Sequence, residues 1–119
     1  MRRLFAAVML LLLVACASTP QTPAQSVYQV QGSYAAALQI AVTYKQLPAC
    51  QAGGPVLCSD KAVVAKLQQA DDVAYAALTA AQNIVRTPNA GANVQTAIVA
   101  AQQAAAAFAS ITSTLKVQP

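Results

Sequence analysis

The chain has 119 residues, of which 57% are hydrophobic and only 8% are charged, and its formal net charge is +4. It contains no histidine and no glutamate, so the usual general bases and metal ligands are scarce. This composition argues against an enzyme and predicts no catalytic residue and no metal site, and the length suits a single domain of about 100 residues.

The N-terminus has the layout of a secretory signal peptide. Arg2 and Arg3 precede an unbroken apolar run over residues 4–14. At about 1.5 Å per residue this run reaches only about 16 Å, too short for a bilayer core of about 30 Å. A cleaved signal peptide is therefore favoured over a transmembrane helix.

The apolar run ends in Leu13-Val14-Ala15-Cys16, which resembles the lipobox of bacterial lipoproteins. The resemblance implies cleavage of residues 1–15 and attachment of a diacylglyceryl group to the Cys16 thiol. This lipid, with acyl chains such as palmitate, is the only group that we expect the protein to carry, and no other cofactor is predicted. Two or three acyl chains anchor a protein stably, whereas one chain binds reversibly. Because Ala17, not aspartate, follows the cysteine, the resemblance implies the periplasmic face of the outer membrane. The alternative is an ordinary signal peptide in which Cys16 is incidental.

Loss of the signal peptide changes the charge balance of the chain. Two of the seven basic residues leave with residues 1–15, and the remaining five against three aspartates give only +2. These five are scattered singly along the chain, which argues against a nucleic-acid partner. Neither a phosphate-binding loop nor another motif for a small-molecule substrate is present.

Lipidation of Cys16 would leave Cys50 and Cys58 as a pair. In an oxidising periplasm we expect them to form a disulfide, closing a ring of about nine residues worth about 2 to 3 kcal/mol by chain entropy. A redox-active or metal-binding pair is the alternative, but the spacing is not Cys-x-x-Cys and neither histidine nor another thiol is available.

Residues 16–26 are polar and contain two prolines, which predicts a flexible tether after the lipidated cysteine. Apolar residues then recur at steps of three and four, predicting helices over about residues 27–47, 60–87 and 93–115 in a domain of residues 27–119. Gly32 allows a later start of the first helix, at Ser33. Ser59 is the expected N-cap of the second helix, and Asn93 or Asn89 that of the third.

Three amphipathic helices with no credible strand predict an all-α fold, a small alanine-rich antiparallel three-helix bundle. Phe108 is expected at its centre, with Leu67, Leu78 and Ile98 around it. Alanine-rich faces bury little area, so an alternative is that some of them associate with another copy or with a partner protein.

Few polar residues are candidates for contacts. Asp71 and Asp72 point about 100° apart on a helix, which indicates a solvated pair rather than an acid and base acting on one bond. Tyr34 and Tyr44 fall on the apolar stripe of the first helix. Tyr75 lies among polar residues of the second helix and is the one aromatic predicted as a contact residue.

Two functions remain compatible with these features. The first is a lipid-anchored, non-enzymatic lipoprotein of the cell envelope whose helical domain binds an envelope protein or self-associates. The alternative is a small accessory lipoprotein of a phage or prophage lysis or exclusion system, an idea that depends on size and anchoring alone.

Overall fold

The structure, a computed structural model, describes residues 21–115. In this range it contains three helices and no strand: α1, Pro23–Lys45; α2, Lys61–Arg86; and α3, Asn93–Ser113. The predicted all-α three-helix bundle is confirmed. Side chains from the start of α1, the end of α2 and the start of α3 share one core cluster, so successive helices run antiparallel. The lipobox residues and residues 16–20 of the predicted tether lie outside the described range.

Helix α1 begins at Pro23, four residues earlier than predicted. The Thr22 hydroxyl accepts a hydrogen bond from the Gln25 N–H at 3.3 Å, and the Gln25 side chain accepts one from the Thr22 N–H at 2.9 Å. This reciprocal capping box leaves proline at the first helical position, where its missing N–H costs nothing. Residues 23–26 are therefore helix rather than tether, and α1 continues through Gly32 instead of beginning at Ser33.

Helix α2 is capped by Asp60, not by Ser59 as predicted. The Asp60 Oδ1 accepts hydrogen bonds from the N–H groups of Ala62 and Val63 at 2.7 and 3.2 Å, a position where a negative charge also suits the helix dipole. The buried Ser59 hydroxyl instead donates to the Leu47 carbonyl at 2.9 Å. The serine side chain is therefore hydrogen-bonded to the preceding loop and does not cap α2.

Helix α3 begins at Asn93, but neither predicted N-cap performs that role. The N-cap position is Ala92, and no side chain there makes a capping hydrogen bond. Asn89 and Gly91 have positive φ angles of 61° and 59°, so the link after α2 is a tight left-handed turn. The three helices end one or two residues before the predicted limits, at Lys45, Arg86 and Ser113.

The buried side chains form two clusters along the bundle. One contains Val27, Val30, Leu78, Ala81, Ile98, Ala101 and Ala105, and the other contains Ala37, Ala41, Tyr44, Leu67, Ala74 and Phe108. Phe108 is 0% exposed and Leu67 shares its cluster, as expected. The expectation that Leu78 and Ile98 surround Phe108 is wrong, because they belong to the other cluster.

The two ends of the loop between α1 and α2 are joined to each other. The Cys50 N–H donates to the Ser59 carbonyl at 3.1 Å, and the Ser59 N–H donates to the Pro48 carbonyl at 2.8 Å. The sulfur atoms of Cys50 and Cys58 are 2.04 Å apart, the distance of a disulfide bond. Together these links close the loop beside the cluster that contains Phe108.

Among the described helices, α3 is long and apolar enough to cross a membrane by length and composition alone, with a mean hydropathy of 1.3 over its best window. The same helix packs Ile98, Ala101, Ala105 and Phe108 into the bundle core. Its outward side carries Gln95, Gln102 and Gln103, all exposed. These features are those of an alanine-rich helix within a bundle.

Candidate interaction surface between α1 and α2

The helices do not pack equally on one another. Helix α3 packs more extensively on α1 and on α2 than those two pack on each other. An open cleft of about 360 Å³ therefore remains between α1 and α2, above the ring of Phe108. Its walls are formed by Leu38, Ala41, Val42 and Lys45 from α1 and by Val64, Leu67, Gln68, Asp71 and Asp72 from α2. We call this set of residues the α1–α2 cleft.

The apolar part of the cleft continues onto the outer side of α1. Leu38 and Val42 also line a shallower depression of about 590 Å³, together with Ala35, Gln39 and Thr43. Val42 is 45% exposed although it is a β-branched apolar residue, and Leu38 is half-buried. The two depressions share these side chains, so they form one continuous surface with an apolar centre.

The wall of the bundle next to the cleft is closed by a contact between Tyr34 and Asp71. The Tyr34 hydroxyl donates to the Asp71 Oδ1 at 2.5 Å. The Tyr34 ring packs on Phe108, with ring centroids 5.7 Å apart. Burial raises the pKa of the Tyr34 hydroxyl, and the hydrogen bond to Asp71 raises it further because an ionised phenol would lose that bond and face a carboxylate.

This contact corrects one prediction from the sequence. Asp71 is half-buried and hydrogen-bonded to another helix, so it is not a solvated partner of Asp72; Asp72 itself is exposed, as expected. The packing predicted for Tyr34 and Tyr44 on the apolar stripe of α1 is confirmed. Tyr34 packs against the core at its edge, and Tyr44 is buried at 7% exposure. The Tyr44 hydroxyl accepts a hydrogen bond from the Asp60 N–H at 2.9 Å.

The predicted contact residue Tyr75 lies beside this wall. It is 62% exposed, and it sits one turn after Asp71 and Asp72 on α2, so the three share one side of the helix. Asp71 and Asp72 both line the α1–α2 cleft. Tyr75 is therefore at the margin of the α1–α2 cleft rather than isolated on the surface.

Charges of opposite sign occupy the two ends of the cleft. Lys45 lies in the last turn of α1, where Tyr44 contacts the start of α2. Asp71 and Asp72 lie at the level of Tyr34, near the middle of α1. Lys45 and Leu38 are seven residues apart, so the cleft is about 10 Å long along α1. Its surface is thus basic at one end, apolar in the middle and acidic at the other.

The chemistry of this surface suits binding. Among residues 21–115, no group of three or more histidine, cysteine or acidic side chains is placed to hold a metal ion. Every buried side-chain nitrogen or oxygen in that range has a hydrogen-bond partner. An apolar strip flanked by opposite charges is an arrangement that orients a docked partner.

Sequence reasoning missed the cleft itself. The one available signal was the position of Leu38 and Val42 on the rim of the apolar stripe of α1, next to the core residues Ala37 and Ala41. Small alanines at these core positions leave room between α1 and α2. The larger rim residues then line that space instead of filling it.

Comparison with known proteins found no match to a family model, to a curated protein or to a solved structure.

Proposed function

We propose that the chain is a lipid-anchored, non-enzymatic lipoprotein of the bacterial cell envelope whose helical domain binds a protein partner, either an envelope protein or another copy of itself, through the α1–α2 cleft. The observation that carries the anchor is Leu13-Val14-Ala15-Cys16 after a basic start and a short apolar run. The resemblance to a lipobox favours the periplasmic face of the outer membrane as the location.

The early start of α1 supports a domain held close to the membrane. Only five residues, 17–21, lie between Cys16 and Thr22, the cap of α1, and the six fully extended chain steps from Cys16 to Thr22 reach about 20 Å. The domain would therefore remain beside the headgroups, so a partner would have to be in or near the same membrane.

The cleft supports binding over catalysis. Its centre is apolar, with Val42 and Leu38 accessible to solvent. The only acidic side chains in the whole chain are three aspartates, and one of them, Asp71, is engaged by Tyr34. No pair of groups in the cleft is arranged as a general acid and a general base.

The anchor is tested by measuring the intact mass and detergent partitioning of the full-length protein expressed in bacteria. We expect the wild-type protein to have the mass of residues 16–119 plus an acylated glyceryl group and to enter the detergent phase. Cys16→Ser should lack the added mass and remain in the aqueous phase. The double variant Cys50→Ser with Cys58→Ser is the matched control and should remain lipidated. An unmodified wild-type chain that starts at any residue other than Cys16 would overturn the anchor.

The binding role is tested by chemical cross-linking in intact membranes. We expect wild-type protein to give discrete cross-linked species that Val42→Arg loses. Val99→Arg is the matched control, because Val99 is also a partly exposed valine, at 37%, but lies on α3 outside the cleft. Wild-type protein that remains monomeric, or equal losses in the two variants, would contradict docking at the cleft.

A further inference from the structure

The α1–α2 cleft is complementary to itself in charge. Lys45 marks its basic end, and Asp71 and Asp72 mark its acidic end. On α2, Val64, near the basic end, and Asp72 are eight positions apart, which corresponds to about 12 Å. Turning a second copy by 180° about an axis that lies in the contact plane and is perpendicular to the helices brings the two clefts face to face and exchanges their ends. Lys45 of each copy then lies at the same end of the interface as the aspartates of the other.

We propose that the partner of the cleft is a second copy of this chain, docked antiparallel across a two-fold axis so that Lys45 of each copy faces Asp72 of the other. In such an isologous interface each contact occurs twice. The apolar strips formed by Leu38 and Val42 meet at the axis, where both copies contribute the same side chains. A parallel arrangement would instead place the two Lys45 side chains opposite each other.

This inference rests on the proposed function, because the lipid anchor is what allows a small interface to hold two copies together. Two copies anchored in one membrane have a high effective concentration, so a modest interface suffices where a soluble dimer needs about 1,200 to 2,000 Å² of buried surface.

The antiparallel arrangement also defines the orientation of the pair. Helix α1 has 23 residues and is about 34 Å long, so the first turns of α1 in the two copies lie at opposite ends of the dimer. Both can be tied to one membrane by five-residue connections only if the helices lie along the membrane surface. The two-fold axis then stands along the membrane normal.

The direct test is zero-length cross-linking of the full-length, lipidated protein in phospholipid vesicles. A carbodiimide joins an amine to a carboxylate in contact with it, and a mixture of isotope-labelled and unlabelled protein distinguishes links between copies from links within one copy. We expect Lys45 to be joined to Asp72 or Asp71 in peptide pairs with one labelled half. The dimer would be overturned if no peptide pair combined a labelled with an unlabelled half, or if Lys45 formed no link at all.

Charge reversal gives a second test that does not depend on the cross-linking reagent. Lys45→Asp alone and Asp72→Lys alone should each lower the dimer fraction in vesicles about tenfold, because each places like charges together at both symmetric contacts. Mixing the two variants should restore dimers, since each heterodimer has opposite charges at both contacts. Failure of the mixture to recover dimers would refute the pairing.

Controls separate loss of the dimer from loss of fold or anchor. Lys66→Asp has the same charge change on α2, but Lys66 does not line the cleft and should leave the dimer fraction unchanged. Helical circular dichroism of every variant reports the fold. If wild-type protein carries no lipid but still forms Lys45–Asp72 links at high concentration in solution, the anchor fails and the dimer stands. Lipidated protein that forms no link between copies in vesicles rejects the dimer alone.

Discussion

The hydroxyl of Tyr34 in α1 donates a hydrogen bond to the carboxylate of Asp71 in α2, while the Tyr34 ring packs on Phe108 of α3. One side chain thus contacts both other helices near the middle of the bundle. It also forms the boundary of the α1–α2 cleft at the acidic end, because Asp71 lines that cleft. The stability of the bundle and the shape of its open surface therefore depend on the same contact.

Replacing Tyr34 with phenylalanine tests this contact. Tyr34→Phe keeps the ring on Phe108 but leaves the half-buried Asp71 without its hydroxyl donor. We expect the free energy of unfolding to fall by about 1 to 2 kcal/mol, measured by urea denaturation. Tyr28→Phe is the matched control, since Tyr28 is 77% exposed, and it should change the value by less than about 0.5 kcal/mol. Equal effects of the two substitutions would contradict the role of the hydrogen bond.

The raised pKa of Tyr34 predicts a dependence of stability on alkaline pH. Below pH 10, the ordinary pKa of tyrosine, the hydroxyl is protonated in both folded and unfolded protein. Above pH 10 the unfolded chain releases this proton first, so stability falls as pH rises until the folded protein ionises too. Denaturation of wild-type protein and Tyr34→Phe at several pH values above 10 should give a steeper decline for wild type. Parallel declines would show that Tyr34 is not protected.

The capping box at Thr22 predicts how α1 begins. Thr22→Ala removes the acceptor for the Gln25 N–H and should cost about 0.5 to 2 kcal/mol. The loss should be confined to the first turn, so amide hydrogen exchange should accelerate near residues 25–27 and remain unchanged around Tyr44. If the amides of that first turn already exchange without protection in the wild type, a tether that extends to Ser26 would be favoured instead.

The link between Cys50 and Cys58 predicts a difference between oxidised and reduced protein. The double change Cys50→Ser and Cys58→Ser should lower the free energy of unfolding by about 2 to 3 kcal/mol, because the unfolded chain regains the freedom of the closed ring. A reductant should destabilise wild-type protein by the same amount and leave the double variant unaffected. A reductant that changes neither protein would show that the two cysteines are not bonded in solution.

Much of the fold could be predicted from the sequence. The apolar residues of α2 recur at steps of three and four from Val63 to Val85, so the existence and facing side of that helix follow from periodicity alone. The helix starts were less predictable, for different reasons. The Thr-Pro-Ala-Gln pattern that starts α1 is visible in the sequence, but it precedes the first apolar step at Val27. The choice of Asp60 over Ser59 as cap depends on the Leu47 carbonyl, which only the folded loop brings to the serine.

The sequence by itself determined three amphipathic helices, an alanine-rich core with Phe108 inside it and a lipobox-like start, because these depend on residue types and short spacings. Tertiary structure decided which helix pair packs least and which polar groups meet across it. Tyr34 and Asp71 are 37 positions apart, and their contact depends on the rotation of α1 relative to α2. That rotation is set by α3, whose packing on both helices leaves the cleft open, and no local pattern encodes the balance among three helix interfaces.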